Sequence, residues 1–308
     1  MELLILFIAV LVDMVFGEYP PKYHPTVWLG EGFNYLIDTN LKRNKWFLFL
    51  SGTIKVILYL LLIAVFFYFL LNILKIIDIY LYLILSIYLL KSTFSIKHFI
   101  GCVKTVHSDL IKKDINLARE DLRNLVSRDR SNLSEEEIIH ATIASAGENL
   151  NDSVIAPIFY FLLFGVTGAV IYRVINSVDA MIGYRTEKYE YFGKFAARLD
   201  DAVNFIPARI TALLILISSL FIKKSSSKNA LNIMLRDNGN TPSINGGWPM
   251  AALAGALRIT ITKPGYYSIG DNIDTAIPEK ILLANRFIVL STAFFLIICF
   301  LHLQYGIN

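Results

Sequence analysis

The chain contains few charged residues and almost no cysteine. Asp, Glu, Lys and Arg make up 18% of its 308 residues, whereas about 25% is usual in soluble domains. The two cysteines, Cys102 and Cys299, are too few for a disulfide framework or a cysteine-rich zinc site. Cys299 lies inside an apolar run, where a thiol usually packs as a small apolar side chain.

The sequence also lacks the common signatures of nucleotide and hydrolase chemistry. It contains no Walker A sequence, no G-x-S-x-G elbow, no H-E-x-x-H pair and no G-x-G-x-x-G loop. These absences do not exclude ATP binding through an unfamiliar site. Zinc-finger and RNP-like patterns are absent as well, so the net charge of +4 does not indicate nucleic-acid binding.

Apolar residues, by contrast, are abundant. Hydrophobic residues make up 55% of the chain, and the mean hydropathy is +0.55. A membrane span needs about 20 apolar residues, with a range of about 17–25. The runs that meet this need are 54–74, 205–222 and 287–303, and the less certain ones are 3–16, 76–90 and 153–172. The sequence therefore predicts an all-α, multi-pass protein of the cell membrane with about four to six membrane segments.

The polar region 91–152 is rich in basic residues. It carries nine Lys and Arg residues between positions 91 and 130, which predicts a cytoplasmic location because such residues are enriched in cytoplasmic loops. Ser134 and Glu137 fit a capping box, so a helix should begin there. We expect one membrane-embedded domain, 1–308, in which 91–152 is a cytoplasmic insertion of amphipathic helices.

Two segments bear on the topology. The run 3–16 lacks a basic start and is not followed by a small-x-small cleavage site, so we interpret it as a retained helix rather than a signal peptide. The segment 173–203 carries five Lys and Arg residues. Either it is folded into the membrane, or the apolar runs on its two sides do not both cross fully.

The most informative polar residues lie between positions 148 and 209, beside or inside apolar runs. Ionisable groups in such places are costly in lipid, and a functional role is the default interpretation. The first group is Glu148, Asn149, Asn151 and Asp152, directly before an apolar run. A helix cap would account for only one or two of these residues, so we predict that the group is catalytic.

A second group follows on a helical face. Helical spacing puts Arg173 and Asn176 together, with Asp179 beside them. The alternative to a functional role is a structural Asn–Asp hydrogen bond between helices. Tyr184 and Arg185 come next, and Arg185 fits either a solvated membrane flank or a fork that binds phosphate.

The third group has the same helical spacing. Arg198, Asp201 and Asn204 are each three residues apart, and Asp200 is adjacent. The alternative to a functional role is that Arg198 and Asp201 merely form a surface salt bridge, which contributes little to stability. Paired carboxylates beside Asn and Arg instead favour Mg²⁺, which is usually held by one or two carboxylates plus substrate phosphates. We expect Pro207 to break or bend this helix.

Weaker signals come from three other places. Arg209 lies just inside an apolar run, where its charge needs a partner. The turn at 245–249, which contains Trp248, has two glycines that would let the main chain approach a ligand closely. A plain turn is an equal alternative. His24, between Tyr and Pro, fits a structural role or a functional one.

Four blocks, read in order, form a pattern that covers nearly the whole chain. They are Asp13-x-x-x-Gly17-Glu18 with His24-Pro25-x-x-Trp28-x-Gly30; Arg128-Asp129 with Glu148-Asn149-x-Asn151-Asp152-x-x-x-Ala156-Pro157; Tyr172-Arg173-x-x-Asn176-x-x-Asp179-x-Met181-x-Gly183-Tyr184-Arg185 with Ala197-Arg198-Leu199-Asp200-Asp201-x-x-Asn204-x-Ile206-Pro207-Ala208-Arg209; and Asn245-x-Gly247-Trp248-Pro249 with Ala254-Gly255-Ala256-Leu257. The pattern resembles the adenosylcobinamide-phosphate synthase family of membrane-bound cobalamin-biosynthesis proteins, called CobD or CbiB. Ala144, Ser153 and Met250 depart from the family pattern.

The resemblance implies a reaction. An amino-alcohol phosphate, such as aminopropanol phosphate, would be joined to the free propionate carboxyl of adenosylcobyric acid, giving adenosylcobinamide phosphate. A carboxylate and a protonated amine do not readily form an amide in water, so the expected enzyme is a ligase that uses ATP and Mg²⁺. The expected partners are the two substrates and the lipid bilayer. Other corrinoid-pathway proteins and a second copy of the chain are further candidates.

Each polar group then has an expected role. The expected catalytic residues are Glu148, Asn149, Asn151, Asp152 and Asp179. The expected metal ligands are Asp200 and Asp201. The expected substrate- and phosphate-binding residues are Asn176, Tyr184, Arg185, Arg198, Asn204, Arg209 and Trp248.

Two alternative functions fit the same residues. A membrane transferase that acts on a phospho-alcohol would also need paired Asp and Arg side chains near the bilayer. A transporter would show broken apolar helices and buried charges. Transporters usually contain two similar halves, and the sequence shows no such repeat.

Overall fold

The computed structural model describes residues 1–37, 44–183 and 189–306, and most of this chain is helical, as predicted. The helices are α1 (Glu2–Phe16), α2 (Pro25–Asn34), α3 (Lys45–Ile77), α4 (Ile79–Lys91), α5 (Lys97–Ile111), α6 (Ile115–Asp121), α7 (Glu135–Leu150), α8 (Ala156–Ile182), α9 (Lys194–Ser218), α10 (Ser227–Asp237), α11 (Gly247–Leu257) and α12 (Pro278–Tyr305). A π-helical turn, Asn151–Ile155, joins α7 to α8. Short 3₁₀ turns occupy Pro21–Tyr23 and Leu122–Asn124.

Within the described ranges, one β-hairpin is the only sheet. Its strands are β1 (Thr260–Lys263) and β2 (Tyr267–Gly270), which pair antiparallel with Ile261 opposite Ile269. Gly265 in the connecting turn has a φ of 76°, a conformation that glycine adopts without steric cost. This hairpin was not predicted from the sequence. The signal was a run of β-branched residues that ends at Pro-Gly.

Four helical segments of the described chain are long and apolar enough to span a membrane. They are α3, the continuous stretch from α7 to α8, α9 and α12. α1 has 15 residues and α4 has 13, fewer than the roughly 20 that a span needs. The protein is therefore a helical membrane protein with four candidate spans, at the lower end of the predicted range.

A helix boundary explains the acid inside the apolar run 76–90. α3 ends at Ile77, and the Oδ1 atom of Asp78 accepts hydrogen bonds from the N–H groups of Tyr80 at 2.7 Å and Leu81 at 3.1 Å. The first N–H groups of a helix lack intrahelical partners, and a capping carboxylate satisfies them. Asp78 therefore starts a new helix and does not interrupt a span.

The chain does not break at Pro207, because α9 continues through it. Proline has no N–H, so the carbonyl oxygen of Val203, four residues earlier, loses its intrahelical hydrogen bond. The hydroxyl of Tyr160 donates a hydrogen bond to this oxygen at 2.9 Å. This bond satisfies the carbonyl that Pro207 leaves open. Of the two effects predicted for Pro207, the helix break is wrong, and the bend stays a prediction.

The described chain forms two compact units. Unit 1 consists of Met1–Ser95 and Ala156–Val203, and unit 2 consists of Ile96–Ile155 and Asn204–Asn308. In unit 1, α1 packs against α4, and α8 contacts α2, α3 and α4. The single domain with an insertion at 91–152 stays a prediction.

A buried charged network ties α1, α4 and the start of α2 together in unit 1. The Lys91 side chain is completely buried, and its Nζ lies 3.2 Å from Asp13 Oδ1 and 3.2 Å from Glu18 Oε1. Glu18 Oε1 also lies 2.6 Å from His24 Nε2. Burial alone would raise the pKa of Glu18, but the His24 hydrogen bond and the Lys91 charge hold it at about 2.

α11 lies at the centre of unit 2. All of its residues except Trp248 are buried, and it packs against α7, α10, α12 and the β-hairpin. A Cβ on Gly147 would lie 3.1 Å from the main chain of Met250, so glycine permits the close approach of α7 to α11. α7 is therefore buried on nearly all sides, which differs from the amphipathic helix expected there.

Two other predictions for the region 91–152 are confirmed. Ser134 Oγ accepts from the Glu137 N–H at 3.3 Å, and Glu137 Oε2 accepts from the Ser134 N–H at 2.8 Å, which completes the capping box. α5 is amphipathic, because its buried residues recur at intervals of three and four. The cytoplasmic location of the region stays a prediction.

Lys91→Met should strongly destabilise the protein, because it leaves the Asp13 and Glu18 carboxylates without their shared cation. Removing one partner of a buried ion pair costs about 3–5 kcal/mol. Thermal unfolding in detergent measures the effect, and Lys104→Met on the exposed face of α5 is the control.

The folded-state pKa of Glu18 lies below its ordinary value of 4.5, so the contribution of Glu18 to stability is present above that pH and lost as the pH falls toward 2. The gap in Tm between wild type and Lys91→Met should narrow over this range.

The double variant Asp13→Asn with Lys91→Met should recover part of the lost Tm, because it removes one of the two buried negative charges. An equal Tm for Lys91→Met and Lys104→Met at neutral pH would contradict a stabilising network.

Candidate functional site

A cluster of charged and amide side chains in unit 1 joins α8 to the first part of α9. This acidic cluster comprises Arg173, Asn176, Asp179, Asp200 and Asp201. Arg173 Nη1 donates to Asn176 Oδ1 at 3.2 Å, and Asn176 Nδ2 donates to Asp200 Oδ1 at 3.4 Å. The predicted pairing of Arg173 and Asn176 on one helical face is confirmed, and the Asn–Asp hydrogen bond considered from the sequence is present.

The three carboxylates of the acidic cluster repel one another. The negative charges of Asp200 and Asp201 both repel the Asp179 carboxylate, and the repulsion from Asp200 is the larger. Consecutive residues on a helix do not face each other. Asp200 accordingly contacts Asn176, whereas Asp201 Oδ2 lies 3.5 Å from Arg198 Nη1. Asp179 and Asp200 are therefore better placed than Asp200 and Asp201 to share a cation.

Gly183 determines where the Asp179 carboxylate can lie. The Gly183 N–H donates to the Asp179 main-chain oxygen at 2.7 Å. A Cβ at Gly183 would collide with the Oδ1 atom and with the main-chain oxygen of Asp179. Glycine thus lets the acid lie against the main chain at the end of α8. Tyr184 and Arg185, which follow directly, lie outside the described residues.

Arg198 forms the surface salt bridge that was considered for it. Its side chain is 64% exposed, and it pairs with Asp201 at 3.5 Å, three residues later on α9. Exposed pairs of this kind contribute little to stability. The guanidinium therefore stays accessible to an anion, and its role in phosphate binding stays a prediction.

A second cluster, in unit 2, consists of buried amide and hydroxyl groups together with one half-buried carboxylate. This amide cluster comprises Asn151, Asp152, Asn204 and Thr211. Asn151 Nδ2 donates to Asp152 Oδ1 at 2.8 Å and to Asn204 Oδ1 at 2.8 Å, while Thr211 Oγ1 lies 3.1 Å from Asn151 Oδ1. Thr211 was not among the residues predicted from the sequence. Its spacing of seven residues from Asn204 puts both on one face of α9 and could have revealed it.

The π-helical turn Asn151–Ile155 carries half of the amide cluster. Such turns are rare and occur frequently at functional sites, because the extra residue per turn redirects side chains and opens the main-chain hydrogen bonding. The turn contains both Asn151 and Asp152. Helical periodicity gave no sign of this turn, since the hydrophobic pattern continues through it.

The two residues before the amide cluster differ in their surroundings. Asn149 Nδ2 donates to Ser145 Oγ at 2.6 Å and to the Leu125 carbonyl at 3.3 Å, so its amide anchors the preceding loop. Glu148 is exposed. Burial, followed by the negative charge of Glu148, raises the pKa of Tyr267 to about 12.

Arg209 is held in unit 2 by aromatic rings and by Asn245, which lies in a turn that ends where α11 begins at Gly247, so only the first part of the turn predicted at 245–249 is present. Its guanidinium carbon lies 3.7 Å from the centre of the Phe205 ring and 4.8 Å from that of Trp248. Its Nη1 donates to Asn245 Oδ1 at 2.7 Å and to the Phe205 carbonyl at 2.8 Å. The predicted residues Arg209 and Trp248 are therefore neighbours. Asn245, which had no predicted role, fixes the guanidinium.

The donor set of the acidic cluster fits a limited class of metal ion. Across 1–37, 44–183 and 189–306, no group of three or more His, Cys, Asp or Glu side chains is placed to hold a metal. Mg²⁺ does not require such a group, because it is usually bound by one or two carboxylates together with substrate phosphates and water. Asp179 and Asp200 match that requirement.

Comparison with known proteins identifies the family to which the chain belongs. The model of the CobD/Cbib protein family matches residues 6–284. The cobalamin biosynthesis protein CobD of Dehalococcoides mccartyi (strain CBDB1) is 43% identical over 282 residues, which cover 91% of each chain. The probable cobalamin biosynthesis protein CobD of Methanocaldococcus jannaschii is 39% identical over 300 residues, or 96% of each chain.

The probable cobalamin biosynthesis protein CobD of Methanococcus aeolicus is 40% identical over 275 residues, or 87% of each chain. No solved structure matches the chain. Since the family model covers most of the chain and these relatives align along nearly their whole length, the chain belongs to the CobD/CbiB protein family.

Proposed function

We propose that the protein acts in cobalamin biosynthesis as an adenosylcobinamide-phosphate synthase of the cell membrane. It joins an aminopropanol-type amino-alcohol phosphate to the propionate carboxyl of adenosylcobyric acid. The observation that carries the proposal is the acidic cluster, which places three carboxylates and arginine side chains on candidate membrane-spanning helices of a CobD/CbiB family member. Acids in such positions are costly in lipid unless a ligand or partner offsets them.

The chemistry of the amide bond explains why ATP and phosphate-binding groups belong to the proposal. A carboxylate oxygen attacks the γ-phosphorus of ATP and releases ADP. The amine nitrogen then attacks the activated acyl carbon, and inorganic phosphate leaves. In total, one carboxylate, one ammonium group and one ATP yield one amide, ADP, inorganic phosphate and a proton.

In unit 1, the acidic cluster supplies the groups that a nucleotide phosphate needs. Mg²⁺, when bound, would neutralise negative charge on the phosphate oxygens. Asp179 and Asp200 would hold the ion, and the exposed Arg198 would bind a phosphate oxygen. Asn176 keeps Asp200 in place through its 3.4 Å hydrogen bond, so we assign it a positioning role.

In unit 2, Glu148 is the better candidate for the base that takes a proton from the ammonium group. Its side chain is exposed and can be reached by a substrate, whereas Asp152 is half-buried within the amide cluster. Asn149 anchors a loop. We therefore propose a positioning role for Asn149, Asn151 and Asn204.

Purified protein in detergent should form adenosylcobinamide phosphate from adenosylcobyric acid, aminopropanol phosphate and Mg-ATP. Mass spectrometry of the corrinoid product measures the reaction, and ADP release should match amide formation one to one. Omission of the amine is the control. Transport of a corrinoid into proteoliposomes without amide formation would instead identify a transporter.

Asp200→Asn should reduce kcat roughly 100-fold or more, as expected when an electrostatic group that acts on the transition state is lost. Asp179→Asn should have a similar effect, and Asp201→Asn a smaller one, because Asp201 faces Arg198. The matched control is Glu120→Gln, since Glu120 also forms an exposed pair three residues from an arginine. Kinetics at varied Mg²⁺ provide the measurement. Full activity in both Asp179→Asn and Asp200→Asn would exclude the metal role.

Arg209→Lys should raise the KM for one phosphate-bearing substrate about tenfold, the effect of losing one charge-assisted hydrogen bond. A lysine cannot both keep the Asn245 contact and present a second planar donor. Arg198→Lys tests the second proposed phosphate-binding arginine in the same assay. The control is Arg123→Lys, because Arg123 also forms an exposed ion pair with an acid three residues away. Unchanged KM values for ATP and for the amino-alcohol phosphate in both variants would remove these arginines from phosphate recognition.

A further inference from the structure

A basic cavity lies in unit 2 where α12 begins, apart from the clusters described above. Its volume is about 940 Å³. Charged residues line it from three segments of the chain: Lys224, Arg258, Asp274, Glu279, Lys280 and Arg286. The positive charges exceed the negative charges by two, so the cavity suits an anion.

The internal ion pairs of the cavity leave two cations accessible. Asp274 Oδ2 lies 2.8 Å from Lys280 Nζ, and Asp274 Oδ1 lies 3.6 Å from Arg258 Nη2. Lys280 holds the pKa of Asp274 below its ordinary value, so this acid stays negative. Lys224 and Arg286 are exposed and have no ion-pair partner within the described part of the chain.

Both accessible cations lie at the edge of an apolar segment. Lys224 follows the run 205–222 by two residues, and Arg286 comes directly before the run 287–303. Charged side chains in such positions lie at the level of the lipid headgroups. The same cavity has apolar side chains in Ile273, which is 48% exposed, and Ile277, which is 43% exposed.

The main chain around the cavity is also unusual. Lys224 and Arg258 have φ values of 68° and 60°, the left-handed region that residues other than glycine rarely adopt. Among the described residues, no side chain caps the first turn of α12. Its uncapped N–H groups and the helix dipole add positive potential at the cavity.

We propose that this cavity binds the phosphate group of an anionic membrane phospholipid. Lys224 and Arg286 contact the phosphate oxygens, while Ile273 and Ile277 contact the first part of the acyl chains. A lipid is the favoured source of the phosphate, because the two cations flank apolar runs and apolar side chains lie beside them. A soluble phosphate ester would use the cations but not the isoleucines.

Native mass spectrometry of the detergent-purified protein, titrated with phosphatidylglycerol, measures the affinity directly. Phosphatidylcholine is the zwitterionic control lipid, and glycerol phosphate is the soluble one. Lys224→Gln with Arg286→Gln should weaken phosphatidylglycerol binding at least about tenfold, the effect of losing charge-assisted hydrogen bonds. Lys104→Gln with Lys112→Gln removes the same charge outside the cavity and should not change the affinity. The single variant Lys224→Gln, at an exposed position, serves if the double variant is unstable.

Equal binding of phosphatidylglycerol by wild type and by Lys224→Gln with Arg286→Gln would overturn the proposal. Equal affinity of the wild type for phosphatidylcholine and phosphatidylglycerol would overturn it as well. If glycerol phosphate binds as tightly as phosphatidylglycerol, and the double variant loses both, the lipid source is wrong and the cavity is a site for a soluble phosphate.

Discussion

An ionised side chain on an apolar helix needs an opposite charge or a polar ligand, and this constraint accounts for most of the polar structure of the protein. Lys91 meets it with two acids, Asp13 and Glu18, which surround its buried ammonium group. The acidic cluster meets it differently, because its carboxylates repel one another. Such an arrangement is stabilised when a cation binds. The first network therefore suits a structural role, and the acidic cluster suits a ligand.

Glycine and proline residues make several contacts of the structure possible. Gly183 leaves room for the Asp179 carboxylate against the main chain, and Gly147 lets α7 approach α11 closely. At Pro207 the missing N–H frees the Val203 carbonyl, which the Tyr160 hydroxyl then satisfies. In each case the residue that looks like an irregularity in the sequence allows a particular contact.

Local rules predicted the parts of the structure that depend on neighbours in sequence. The capping box at Ser134 and the Arg173–Asn176 contact follow from spacing alone. The burial of α7 depends on packing against α5, α11 and α12, and its small side chains could not indicate how many helices surround it. The contact between Asn151 and Thr211 joins residues 60 positions apart, which no local pattern reveals.

The central claim of the proposed function is that the corrinoid carboxylate is activated by phosphoryl transfer before the amine attacks. An isotope experiment tests it most directly, with adenosylcobyric acid carrying ¹⁸O in its free carboxylate, together with the protein, Mg-ATP and aminopropanol phosphate. Because the carbon–oxygen bond breaks when phosphate leaves, one ¹⁸O atom should appear in the inorganic phosphate for each amide formed. Label in AMP, or amide formation with unlabelled phosphate, would contradict the account.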